Sequence, residues 1–351
     1  MDLAPRLLRW YRRAKRDLPW RRTRDPYRIL VSEVMLQQTQ VDRVVPFYER
    51  FLERFPTLES LADASLDDVL RAWSGLGYYT RARNLHAASR AIGEQLSGRF
   101  PDSFEALLAL PGVGPYTAGA VVSIAFGQPV PALDVNARRV LARVFHLPDE
   151  PPDRVRKHIE RIATPARSAG DYNQALMELG SLVCTPRAPS CQACCLVQMC
   201  VFHARGDVFH APGEPLAPPK TRRIRARKAR AACAVVHRRG RILLAQRAPM
   251  GVWGGLWELP NCEYAARENP QEVLRALLRD DFNLQVEVGP EITSLTHGIM
   301  HRRIALTAYS CTVTRGRTKA RRHPRTRWVA PEDVADYALP APHRRVAERL
   351  L

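Results

Sequence analysis

Along residues 1 to about 204, apolar side chains recur at intervals of three and four, with proline and glycine marking the breaks and little two-residue alternation. This pattern predicts a run of helices. From about residue 205 the pattern gives way to GDVFHAPGEPLAPPK, where prolines stiffen the chain, and to a basic run of Lys220, Arg222, Arg223, Arg225, Arg227, Lys228 and Arg230, which reads as a linker. Beyond it, AACAVVHRRGRILLAQR predicts two strands joined by a turn, PQEVLRALLRDDF a helix and IALTAYSCTVT another strand. The expected organisation is multidomain: an all-α domain over 1–204, a proline-rich basic linker over 205–229 and an α+β domain over 230–351, without internal repeats.

Charge narrows the class. With 54 Lys and Arg against 35 Asp and Glu, the 351-residue chain carries a formal +19, which points to a polyanionic partner, nucleic acid first. A basic face also suits anionic membranes. However, no apolar run approaches bilayer length, and the opening MDLAPRLLRWYRRAKR is amphipathic, without the apolar core of a secretory signal. A monomer in the cytoplasm, away from membranes, is expected. Eight cysteines, five of them in one short stretch and four of those spaced as metal ligands, suit a reducing compartment better than a disulfide framework.

That stretch holds Cys184, Cys191, Cys194 and Cys200 at the spacing C-x6-C-x2-C-x5-C. A cubane [4Fe-4S] cluster needs four thiolates converging from a short, loop-rich segment, and this spacing supplies them. Zinc is the rival, but four-thiolate zinc sites more often use two C-x2-4-C pairs, and only Cys191 and Cys194 form one here. Cys195 competes as a ligand by adjacency, although the five-residue gap to Cys200 works only from Cys194. Upstream, in LPGVGPYTAGAVVSIAF at Leu110 to Phe126, Gly112 and Gly114 predict a tight hairpin opening onto a helix. Its exposed N–H groups and positive helix end suit a phosphate.

The chain resembles the helix-hairpin-helix DNA glycosylases, specifically the MutY-type adenine DNA glycosylases. The resemblance rests on LPWRRTRDPYRILVSEVMLQQTQV (Leu18–Val41), GLGYYTRARNL (Gly75–Leu85), LPGVGPYTAGA (Leu110–Ala120), LDVNARRVLARV (Leu133–Val144), YNQALMELG (Tyr172–Gly180) and the four-cysteine loop. It implies double-stranded DNA containing adenine opposite 8-oxoguanine or guanine as partner, excision of that adenine, and an abasic product.

Cutting an N-glycosidic bond requires a proton for the leaving base and a negative group for the sugar cation. Glu33 shares a helical face with Ile29, Leu30 and Leu36, an apolar setting that raises a carboxyl pKa and suits a general acid. By resemblance it protonates adenine N7. Asp134 precedes the helix NARRVLARVF and alone reads as a helix cap. The resemblance instead makes it the stabiliser of the oxocarbenium ion, with Asn136 helping to hold the site. Val135 stands where the family carries glycine, and a β-branched residue does not easily take φ > 0, so a distorted loop is expected. Tyr116 occupies the position at which relatives resembling endonuclease III place the Schiff-base lysine, which implies a glycosylase without lyase activity. Base extrusion demands wedges, matched by Gln38 and Tyr78, and contacts to the flipped adenine, matched by Arg21 and Gln174. A thymine glycosylase for G·T mismatches and a non-catalytic damage-binding protein remain as alternatives.

The C-terminal part, with LLAQRAPMGVWGGLWELPN at Leu243 to Asn261, resembles a Nudix fold. LRALLRDDF at Leu274 to Phe282 lacks the glutamate cluster that gathers magnesium in Nudix hydrolases, so no hydrolase activity is expected. The resemblance implies a lesion-reading loop at HGIMH, His297 to His301. Ile299 and Met300 replace the usual Phe and Ser, so the serine contact to the lesion is missing; either discrimination for 8-oxoguanine over guanine is weaker, or His297, His301 or a nearby backbone amide supplies it. The basic stretch from Arg315 to Arg327 reads as a solvated loop.

Overall fold

A computed structural model describes residues 3–147, 164–165, 167–206, 227–299 and 301–350. Lys220, Arg222, Arg223 and Arg225 of the basic run, and Met300, lie outside the described residues. The chain divides into two compact units, Met1–Asp63 with Asn84–Lys220, and Ala64–Arg83 with Thr221–Leu351.

The first unit is helical among its described residues, with α1 (Ala4–Ala14), α2 (Pro26–Leu36), α3 (Val41–Arg54) and α4 (Leu58–Ala62) in its N-terminal part. It continues with most of α6 (Tyr79–Gln95), then α7 (Phe104–Leu108), α8 (Pro115–Phe126), α9 (Val135–Val144) and a helix over Ala169–Leu182. Helix α2 begins where Asp25 accepts from the Tyr27 and Arg28 amides and Pro26 fills the first turn, and it buries every residue from Ile29 to Met35. Polarity on such a helix must be answered internally. Leu3, just before α1, and Leu7 and Tyr11 of α1 meet Val140, Leu141 and Val144 of α9 and Tyr172, Leu176 and Leu179 in one core, which the four-cysteine loop caps through Cys184, Cys194, Cys195 and Cys200.

The second unit combines α5 (Leu66–Ala72) and the start of α6 with a seven-stranded mixed sheet of order β3-β2-β1-β6-β5, in which β4 joins β1 and β7 joins β2. The strands are β1 (Arg227–Arg238), β2 (Arg241–Gln246), β3 (Trp257–Glu258), β4 (Asn261–Tyr264), β5 (Leu284–Ile299), β6 (Arg302–Gly316) and β7 (Arg325–Val329). Strands β1 and β6 run parallel, and the other pairs are antiparallel. The helix Pro270–Phe282 covers one face through Leu274, Leu278 and Phe282, each contributing roughly 2 kcal/mol of apolar transfer.

Two details differ from the sequence expectation. Arg227 and Lys228, read as linker, begin β1 and pair with Arg302 and Arg303 of β6. The Arg315–Arg327 stretch is also more ordered than a solvated loop. Arg315 lies in the last residues of β6, Arg325 and Arg327 lie in β7, and the intervening Lys319 and Arg321 amides bond to the Phe282 and Asp281 carbonyls at a helix C-terminus with acceptors to spare. Among the described residues no helix is long and apolar enough to cross a membrane.

The segment leading to Asp134 is pinned from below. Fully buried Asn173 accepts from the Ala132 amide (3.2 Å) and donates to the Val130 carbonyl (2.9 Å) and Ser123 Oγ (2.8 Å). Asn173→Ala strands these buried groups and is expected to cost about 2–4 kcal/mol in urea unfolding, with m unchanged.

Candidate active site

Where α2, α8, α9 and the Ala169–Leu182 helix converge, a cleft of about 740 Å³ opens, lined by Arg21, Glu33, Gln38, Tyr116, Asp134, Asn136, Gln174 and Glu178 among others. Glu33 is 5% exposed, and the Tyr116 hydroxyl donates to its Oε2 at 2.5 Å. Burial pushes the Glu33 carboxyl up to about 7; nearby Asp134 adds to the rise, against the opposing pull of the Tyr116 hydrogen bond and of Arg21. Burial likewise lifts the Tyr116 phenol well above its ordinary value.

Asp134 is the helix cap that its position predicts. Its Oδ1 accepts from the Ala137 amide at 2.7 Å, while Oδ2 accepts from the Asn136 side chain at 2.8 Å. Burial raises its pKa and these donors oppose the rise. Asn136 in turn accepts from Arg139 (2.7 Å), whose guanidinium also bonds the carbonyls of Gly180 and Cys184, both at 2.8 Å. The distorted loop expected at Val135 does not occur. Asp134 sits at φ −74°, Val135 is absent from the positive-φ residues and opens α9, and no glycine-only conformation is required.

The third carboxylate in the cleft was missed in the sequence. Glu178 is fully buried; burial alone would raise its pKa, but hydrogen bonds from Arg21 and Arg16 outweigh it and bring the value down to about 2. Its Oε1 and Oε2 take Nη1 and Nη2 of Arg21 at 2.9 Å each, and Arg16 adds bonds at 3.0 and 2.6 Å. Arg21 is thus half of a bidentate wall rather than a lone cation. Gln174 lies one turn before Glu178 on the same helix, and its carbonyl accepts from buried Tyr11 (3.3 Å), which turns the amide N–H₂ away from that bond. Helical spacing from Gln174 was the signal that could have found Glu178.

The hairpin forms between α7 and α8 as expected. Gly112 has φ +72°, and a Cβ there would lie 2.4 Å from the Asn84 Cβ. Gly114 has φ −93°, and a Cβ on it would meet nothing within 4 Å, so the fold itself does not demand a glycine there. Gln38 is exposed at φ +56° on the cleft rim, and Tyr78 is exposed at φ +50° in the second unit. Both ring nitrogens of His297 are buried beside Trp253, at 5.8 Å between ring centroids, whereas His301 is exposed at the β5–β6 turn.

Cys184, Cys191, Cys194 and Cys200 line a separate cavity walled by Val140, Val144, Leu179 and Val183; Cys195 packs on the core and is not among the lining residues. Donors face the sulfurs: Arg143 Nη1 reaches Cys184 Sγ at 3.3 Å, and the amides of Leu196 and of Phe202 and His203 serve Cys194 and Cys200. Among the described residues no three His, Cys, Asp or Glu side chains close to the spacing of a single ion.

A helical scaffold with a hairpin and three cleft carboxylates, in a chain that also carries a mixed-sheet domain, defines a base-excision class. Residues 31–165 match the HhH-GPD superfamily of base excision DNA repair proteins and residues 231–349 match the NUDIX domain. The chain is 35% identical to the adenine DNA glycosylase of Rattus norvegicus over 97% of its own length and 76% of that protein. It is also similar to the structure of a thermostable thymine-DNA glycosylase (29% identity, TM-score 0.54, 57% of this chain and 94% of that one). A trapped endonuclease III–DNA covalent intermediate matches over the same shares at 25% identity and TM-score 0.50. The chain belongs to the adenine DNA glycosylase family.

The pKa of Glu33 has a cost in stability. A carboxyl raised from 4.5 to about 7 on folding stabilises the fold fully only below pH 4.5, and that contribution is lost as pH rises through 7. Glu33→Gln, neutral throughout, is therefore expected to be more stable than the parent by about 3 kcal/mol at pH 8, with the gain vanishing near pH 4 in denaturant titrations.

Proposed function

We propose that this chain excises adenine paired with 8-oxoguanine or guanine in duplex DNA, by hydrolysis of the N-glycosidic bond and without lyase chemistry. The observation that carries this reading is the Glu33 carboxyl, buried and raised to about 7 beside the Asp134 carboxylate. Because the Tyr116 phenol donates to Oε2, the proton of the neutral acid resides on Oε1, from which adenine N7 takes it. The C1′–N9 bond then breaks with its electrons leaving on the base, and the Asp134 carboxylate, which accepts from the Ala137 amide and the Asn136 side chain, faces the oxocarbenium ion. Water adds to C1′ and loses a proton to the carboxylate site. Tyr116 offers a phenol where a lyase needs an amine, so no Schiff base forms.

Gln174 and the Arg21–Glu178 pair line the cleft that would receive the flipped base, with Gln38 and Tyr78 as wedges. Exposed His301, rather than covered His297, is the better placed contact for 8-oxoguanine. Cys184, Cys191, Cys194 and Cys200, which line one cavity, would hold a [4Fe-4S] cluster, and the N–H donors beside them would serve the thiolate sulfurs. Burial holds the Cys194 thiol up at about 11 without metal, so a cationic cluster is what would keep it deprotonated. In that role Cys184, Cys191, Cys194 and Cys200 hold the cluster, which supplies structural closure of the loop. A helical domain, a linker and a sheet domain belong to the same reading, with the sheet beginning at Arg227 rather than 230, Ala64–Arg83 joined to the sheet unit, and the sheet domain as a lesion reader.

Labelled duplexes carrying A opposite G, A opposite 8-oxoguanine, or G·T separate the readings. Strand breakage at adenine, only after alkali, is expected, with a single-turnover rate that falls as pH rises through about 7 and drops by roughly 10²–10⁴ in Glu33→Gln. Release of thymine instead would place the chain with the thymine-specific neighbour. The hairpin glycines should part company: Gly112→Ala is expected to cost about 1–3 kcal/mol of stability from overpacking, whereas Gly114→Ala should leave unfolding unchanged yet weaken duplex binding, because only a bound phosphate would occupy that space.

A further inference from the structure

The segment Ala64–Arg83 precedes the hairpin in the chain, yet it belongs to the compact unit of the C-terminal sheet. A set of polar contacts accounts for this. Gln246 Nε2 and Arg325 Nη1 reach the two carboxylate oxygens of Asp67 at 2.9 and 3.3 Å, and Arg71 donates to the Asp336 carbonyl at 3.3 Å. Arg344 Nη2 donates to Ser74 Oγ at 2.9 Å, the Ser74 hydroxyl donates to the Leu339 carbonyl at 3.4 Å, and Arg83 Nη1 reaches the Gly254 carbonyl at 2.6 Å. The contacts at Ser74 and Arg83 bracket a turn that carries Tyr78.

That turn is built from left-handed backbone, which its glycines adopt freely and its tyrosine does not. Gly75 and Gly77 have φ of +99° and +85°, and Tyr78, which has a Cβ, sits at +50°. A non-glycine residue persists there only when its surroundings leave no alternative. Inside the turn, buried Trp73 donates Nε1 to the Gly77 carbonyl (3.0 Å), Arg81 does the same from Nη2 (3.2 Å), and the Arg81 guanidinium lies 5.2 Å from the centre of the Tyr78 ring. These bonds shape the turn but anchor it to nothing outside its own segment. The sheet domain contributes external anchors on both sides of it, Arg344 and Leu339 before it and Gly254 after it.

We propose that the sheet domain serves as the mount for the Tyr78 wedge, with Arg344 as a positioning residue acting through Ser74. The proposal rests on the reading of Tyr78 as a wedge and adds to it a task for the Nudix-like domain apart from inspecting the opposite base. A wedge enters a base stack productively only if its backbone is already fixed, because ordering it on contact would subtract from binding.

The test uses the full chain and two substitutions, Arg344→Met and the milder Ser74→Ala. Without DNA, amide hydrogen exchange over residues 74–81 should accelerate about tenfold in both, while exchange in α2 stays unchanged. With a duplex holding an uncleavable tetrahydrofuran abasic analogue opposite guanine, Arg344→Met should weaken binding about tenfold relative to a matched duplex. It should add little to Tyr78→Ala in a double-mutant cycle. Unchanged exchange over 74–81 in both variants, or additive losses of affinity, would overturn the proposal. A Tyr78→Ala protein that binds the abasic-analogue duplex undiminished would instead sink the wedge reading, and the exchange result would still decide whether the sheet domain holds the turn.

Discussion

The withdrawal of one carboxyl group from water is the constraint around which the helical unit is arranged. Glu33 lies on a helix buried along seven consecutive residues, and such a helix can carry an acid only if the acid stays neutral or finds a partner. The partner supplied is a phenol, not a cation. A phenol accommodates the ionised acid by hydrogen bonding without fixing it in that form, so the pKa settles near neutrality rather than far to either side. An arginine in place of Tyr116 would have made a tighter fold and a poorer acid.

Three carboxylates within one cleft show how environment assigns tasks to like groups. At Glu33 desolvation outweighs a phenol hydrogen bond and the pull of a guanidinium; at Asp134 it outweighs an amide and an asparagine; at Glu178 it is overwhelmed by two guanidinium groups. The outcomes are a carboxyl near neutrality, one raised above its ordinary value and one held low. The last two differ in what holds them. Neutral donors leave the Asp134 charge available to a cation arriving in the cleft, whereas Arg16 and Arg21 already neutralise Glu178, whose part is to shape the wall.

Much of this was legible in the sequence. Helical periodicity located α2 and showed that Glu33 faces apolar neighbours, because i−4, i−3 and i+3 fix a face before any tertiary contact is known. Capping chemistry located Asp134 at the start of α9, and the strand, turn and helix signals of the C-terminal half correspond to β1, β2 and the Pro270–Phe282 helix. What the sequence concealed were pairings across large separations. The grip of Arg16 and Arg21 on Glu178 spans about 160 residues, and no local pattern announces it. The concern over Val135 failed for a related reason: glycine in a motif signals either a backbone need or a space need, and only the φ angle separates them.

Asp134 also explains why the cysteine loop stands where it does. A capping aspartate is only as well placed as the first turn of its helix, and helix α9 carries Arg139 and Arg143 one turn apart on the face opposite solvent. Arg139 binds the Cys184 carbonyl and, through Asn136, the Asp134 carboxylate; Arg143 binds the Thr185 and Pro186 carbonyls and the Cys184 sulfur. Guanidinium groups buried to this degree must find oxygen acceptors, and loop carbonyls outside any ladder are the acceptors at hand. The fold of the loop therefore fixes the roll of α9, and the roll of α9 fixes the direction in which Asp134 presents its charge. A loop placed beside the reacting groups could not do this without entering the cleft; placed behind the helix, it orients the carboxylate while leaving the space in front of it open for a nucleotide.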